Sequence, residues 1–170
     1  RYIQDMSQNQ SELQSIYHQF ELPSNDSRIE QLKEKGYRYV LVITEDWCGD
    51  AMMNNAILKH IAEGADLEVR AFYRDENTDL IDQYLTNGKS RSIPIYIFMN
   101  ENFEQKAVWG PRAHTVQKFV EQVRSEYLPD KNDPSFDDKQ KEVHQTIHNR
   151  YATDPSFWNE VYESILSRLI

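Results

Sequence analysis

Residues 37–51 read Tyr-Arg-Tyr-Val-Leu-Val-Ile-Thr-Glu-Asp-Trp-Cys-Gly-Asp-Ala. Tyr37–Thr44 is rich in aromatic and β-branched residues, and its second half is continuously apolar. That pattern predicts a central strand buried on both faces. Glu45–Gly49 forms a loop, and a helix follows from about Asp50 to Glu63. Met52, Ile57 and Ile61 lie on its buried face and Gly64 is its terminator. Cys48 therefore sits at a strand-to-helix junction, beside a loop tryptophan, Trp47. Backbone N–H groups at a helix start favour thiolate over thiol. Thiolate is the nucleophile of disulfide exchange. Glu45, Asp46 and Asp50 place negative charge nearby and work against it.

Downstream, Leu67–Tyr73 reads as a second strand. Strand, helix and strand at this spacing predict a parallel pair joined by a right-handed crossover. Thr78–Leu85 reads as a helix and Asn87-Gly88 as a turn. Ile95–Met99 and Lys106–Trp109 flank Asn100-Glu101-Asn102 as an antiparallel hairpin. Gly110-Pro111 breaks the chain before a helix over His114–Glu126, with Val116, Phe119, Val120 and Val123 on one side. Upstream, Met6, Leu13, Ile16 and Phe20 make one helical stripe within residues 1–22. Ser27 caps a short helix, with Glu30 in the capping-box position and Gly36 at the end.

After Pro129 the sequence turns acidic and helical. Asp-Pro-Ser-Phe occurs at 133–136 and again at 154–157, and Asp before Pro at the first helical position is a helix start. Two helices follow, about 134–151 and 155–169. The second carries Phe157, Val161, Tyr162, Ile165 and Leu169 on one stripe. That stripe has three available destinations: the main domain, the N-terminal helix, or a second copy in a homodimer. His144 and His148 are four apart, but no third ligand accompanies them, so they read as a solvated face and no metal site is expected. No glycine-rich phosphate loop is present.

The segment Trp47-Cys48-Gly49-Asp50-Ala51 resembles the thioredoxin active site W-C-G-P-C, which also follows a buried strand. Asp50 replaces the family's proline and Ala51 its resolving cysteine. Ser92-Ile93-Pro94 resembles the cis-proline loop, and Gly110 the glycine near the binding groove. Val42 stands six residues before Cys48, where the family has a buried aspartate that assists the resolving thiol. The dithiol half of the mechanism is thus missing. The resemblance implies an α/β thioredoxin-like fold over residues 27–127, a central mixed sheet flanked by helices. An added N-terminal helix (1–26) and two added C-terminal helices (128–170) extend it. It further implies that the Ile93-Pro94 bond is cis and lies against Cys48, whose sulfur is partly exposed at the helix start.

Two functions follow from the resemblance. In the first, Cys48 is a monothiol of cell redox homeostasis that exchanges with protein or small-molecule disulfides. No bound cofactor is needed, and a low-molecular-weight thiol acts as co-reductant. In the second, the fold is a non-catalytic module that holds protein segments. In either case the binding surface comprises Trp47, Gly49, Asp50, Ile93, Pro94 and Gly110. The resemblance has a bacterial flavour. Composition narrows the rest. The formal net charge is -9, from 19 Lys+Arg against 28 Asp+Glu, which argues against nucleic acid. Apolar runs such as Ile93–Met99 are too short for a membrane span, and no signal-peptide pattern opens the sequence. The single cysteine excludes an intramolecular disulfide and points to a reducing, cytoplasmic setting.

Overall fold

A computed structural model describes residues 2–170. Its centre is a four-stranded mixed sheet in the order β2-β1-β3-β4. The strands are β1 (Tyr39–Thr44), β2 (Glu68–Tyr73), β3 (Ile95–Met99) and β4 (Gln105–Trp109). β1 pairs parallel with β2, Tyr39 opposite Glu68, and antiparallel with β3, Tyr39 opposite Met99. β3 and β4 form the hairpin.

The helices are α1 (Gln10–Gln19), α2 (Ser27–Glu34), α3 (Gly49–Ala65), α4 (Thr78–Ile81), α5 (His114–Tyr127), α6 (Phe136–Thr153) and α7 (Pro155–Leu169). A single 3-10 turn, Arg74–Glu76, precedes α4. α3 is buried along most of its length because α1, α2, α6 and α7 all pack on it. One apolar cluster fills this side of the sheet through Val40, Val42, Tyr96, Phe98 and Trp109. A smaller cluster on the other side joins Ile43, Ile95 and Ile97 to Ile81 and Cys48. Among the described residues no helix is long and apolar enough to cross a membrane.

The C-terminal stripe covers the main domain. Trp158, Val161, Tyr162, Ile165 and Leu166 are all buried in the principal core. Such a side chain contributes roughly 1.5–3 kcal/mol when fully buried. Polar ties fix the same helix: Tyr37 Oη donates to Leu169 O at 2.8 Å, and Trp109 Nε1 donates to Ser164 Oγ at 2.9 Å.

Several boundaries differ from the sequence reading, each for a local reason. α1 begins at Gln10 because Ser7 N and the Asn9 side chain are spent on Asp46, and Asn9 turns left-handed at φ 60°. Asp26, not Ser27, caps α2; its carboxylate accepts from Arg28 N at 3.1 Å. Gly64 does not terminate α3. A Cβ there would lie 2.8 Å from Leu22 Cδ1 and 3.2 Å from Ile29 Cγ2, so Gly64 permits close packing while Asp66, at φ 56°, ends the helix. α4 stops at Ile81 because the Thr86–Ser90 bridge draws the following chain into a turn. α6 begins at Phe136, three residues past Asp133, whose carboxylate caps Ser135 N at 2.8 Å.

Candidate functional site

β1 ends at Thr44 and the chain turns through Glu45–Trp47 into α3, with Cys48 as its N-cap. The Ala51 amide donates to Cys48 Sγ at 3.4 Å, and the thiol donates to Ile93 O at 3.6 Å. Ile93-Pro94 is cis, and it brings this carbonyl onto the sulfur. Gly110, also before a cis proline, has φ +131°. A Cβ on it would fall 2.2 Å from Pro94 O, so no larger residue fits. Cys48, Ile93, Pro94 and Gly110 therefore converge from three separate segments.

The sulfur is not partly exposed, as the sequence led us to expect, but buried. Cys48 is only 8% exposed and belongs to the apolar cluster of Ile43, Ala51, Ile81, Ile93 and Ile95. Burial, then the nearby Asp50 carboxylate, push its thiol up to about 12, against the pull of the Ala51 and Asp50 amides and the Arg112 charge. Near neutral pH the resting group is a protonated thiol.

Asp50 does not stand as a loose carboxylate. Arg112 grips it through two hydrogen bonds of 2.8 Å, and Tyr151 Oη donates to it at 2.6 Å. Its side chain is 12% exposed and that of Arg112 17%. Glu45 is turned away and accepts from Asp75 N at 2.9 Å. Asp46 accepts from Ser7 N at 3.0 Å, and its carbonyl accepts from Asn9 Nδ2 at 2.9 Å. His148 Nε2 lies 3.1 Å from Asn9 Oδ1, which joins this loop to α6. α6 also lies over Gly49, where a Cβ would be 3.8 Å from both His148 and Tyr151.

Trp47 is the exposed member of the motif, at 48%, with the Arg74 guanidinium 4.9 Å from its ring centre. Arg74 also donates to Arg91 O, next to the Ser92-Ile93-Pro94 loop. Behind the sulfur, Tyr96 Oη donates to Asn55 Oδ1 at 2.5 Å and Asn55 Nδ2 donates to Thr44 Oγ1 at 3.2 Å, a buried polar chain. Arg112, Tyr151, His148, Asn9 and Arg74 were not identifiable as site residues from sequence. Arg112 and Tyr151 lie 62 and 101 positions from Asp50, and no local pattern marks either. Among the described residues no group of three or more His, Cys, Asp or Glu is placed to hold a metal ion.

A family model described as thioredoxin matches residues 1–124. The chain belongs to the thioredoxin family. The match runs from α1 through most of α5, so α6 and α7, with Tyr151 and His148, lie beyond the part that the thioredoxin model describes. No curated protein matches. Two solved structures share the thioredoxin-like fold at low identity. One is a protein of unknown function from Pseudomonas aeruginosa, at 18% identity and TM-score 0.59, over 89% of this chain and 86% of that one. The other is an HIV epitope-scaffold, at 17% identity and TM-score 0.57, over 96% of this chain and 88% of that one.

Proposed function

We propose that the protein is a latent monothiol of thiol–disulfide exchange, with Cys48 as the exchanging sulfur. The observation that carries the reading is the place of Sγ: it is the N-cap of α3, within reach of the Ala51 amide and against the Ile93 carbonyl of the cis-proline loop. An amide donor is thus already aimed at the atom on which negative charge develops. Local opening must come first, because the resting thiol is buried and protonated.

In the exchange, Cys48 gives its proton to water and the thiolate attacks one sulfur of a disulfide. A bond forms between Sγ and that sulfur, the disulfide bond breaks, and the other half leaves as a thiolate that takes up a proton. Ala51 offers no second thiol, so the mixed disulfide persists until an external low-molecular-weight thiol attacks it. That attack regenerates the Cys48 thiol and carries away the bound half in a new disulfide.

Incubation with an oxidised small thiol, followed by mass spectrometry, tests the reading. The expected product is a single adduct at Cys48 that forms slowly, accumulates, and clears only when reduced thiol is added. Absence of any adduct on the folded protein, under conditions that fully modify the unfolded chain, would contradict it. The burial of Cys48 then favours the second reading, a non-catalytic module whose exposed Trp47, backed by Arg74, holds a protein segment beside Ile93 and Pro94.

A further inference from the structure

β2 is an edge of the sheet, and its outer side is open over a short, defined stretch. Glu68 N donates inward to Arg38 O at 3.0 Å. Alternation along a strand then turns the N–H and C=O groups of Val69 and Ala71 outward. Among the described residues no backbone group bonds to them. Further along, the edge is closed: Tyr73 O accepts from Asn77 Nδ2 at 2.9 Å, and the Tyr2 ring packs 6.0 Å from that of Tyr73. Leu67 N is spent on Ala62 O at 2.8 Å, so the open stretch runs from the Leu67 carbonyl to Ala71, with Val69 at its midpoint, itself 41% exposed. A groove of about 1040 Å³ runs beside it, lined in part by Leu67, Val69 and Ala71.

We infer that this stretch is a self-pairing surface, and that its partner is a second copy of the same chain joined antiparallel about Val69. Charge selects both the partner and the register. Glu68 and Arg70 flank Val69 on one face of the strand, and in the free chain they pair with each other at 2.6 Å while staying 50% and 68% exposed. Pairing about Val69 sets Glu68 of each copy opposite Arg70 of the other and Val69 opposite Val69. Leu67 then faces Ala71. Opposite charges directly across an antiparallel pair are favourable and like charges are not. Centring on Arg70 instead would oppose two arginines. Like-signed charges protect sheet edges from pairing; here the signs alternate and complement themselves. The net charge of -9 on each copy is screened beyond about 10 Å in ordinary buffer, while the cross-strand pairs are in contact.

Sedimentation velocity of the full chain over a concentration series tests this. The expected result is a dimer fraction that rises through the micromolar to sub-millimolar range. Glu68→Arg and Arg70→Glu each place like charges across the pair and should weaken the dimer by about tenfold or more. The double exchange, Glu68→Arg with Arg70→Glu, restores complementarity and should recover it. Val69→Pro, which removes an outward N–H that no ladder bond uses, should abolish it without loss of the folded monomer. A monomer at every concentration overturns the inference and leaves the edge to an extended segment of another protein. A dimer indifferent to both single reversals, or one that the double exchange fails to recover, overturns it as well.

Discussion

Asp50 occupies the position where the family's proline is expected, and its surroundings decide how Cys48 behaves. The carboxylate raises the thiol, while Arg112 offsets part of that effect. Asp50→Asn removes the first influence and leaves the second, so Cys48 should alkylate faster than in the parent protein near neutral pH. The same change leaves Arg112 buried without its counter-charge, and we expect a stability loss of about 3 kcal/mol in denaturant unfolding. Gly110→Ala tests the neighbouring position. Its positive φ and the Pro94 carbonyl leave no room for a methyl group, so the loss should be at least about 3 kcal/mol and visible as a lowered Tm. Cys48, Pro94 and Gly110 could be read from sequence because each carries a local signature. Arg112 and Tyr151 could not, since their roles exist only after folding brings α3, the loop after β4 and α6 together.

Among the elements, β1, α3, β2 and the β3–β4 hairpin follow the sequence pattern because their periodicities are local and strong. The misread boundaries at Gly64 and Asn9 are set by contacts with distant chain, and the one at Ile81 by the Thr86–Ser90 bridge just beyond it. Asp26 shows how one element is tied to another. It caps α2, accepts from Arg28, and takes the Tyr162 Oη hydrogen bond at 2.6 Å, while Arg28 reaches Glu163 at 2.7 Å. These contacts fasten α2 to α7. Its side chain is 10% exposed, and Asp26→Ala should cost about 2–3 kcal/mol by chemical denaturation near neutral pH. The cost should shrink in acid. The hydrogen bonds from Arg28 hold the Asp26 carboxyl well below its ordinary range. Its stabilising effect is therefore present above the unfolded value near about 4 and lost as pH falls below it.

At the scale of the molecule, α6 and α7 lie beyond the thioredoxin match, yet they complete the principal core. A chain ending at residue 127 loses Trp158, Val161, Tyr162, Ile165 and Leu166 from that core. We expect it to lack a cooperative thermal transition and near-ultraviolet dichroism, rather than to survive as a smaller stable domain. Alkali should also loosen the whole. Burial pushes the Cys48 thiol and the Tyr2 hydroxyl up to about 12, and raises Tyr151 and Tyr162 further. Groups raised in the folded state stabilise it fully below their unfolded values. That contribution is lost as pH climbs from about 8.5 for the thiol and 10 for the tyrosines toward the folded values.

If the fold keeps its single thiol protonated until it opens, the pH dependence of Cys48 alkylation in the folded protein must show it. We expect slow reaction near neutral pH, faster reaction once the chain is unfolded by denaturant, and no inflection below about pH 10. Rapid alkylation with an inflection below about pH 8 would contradict it.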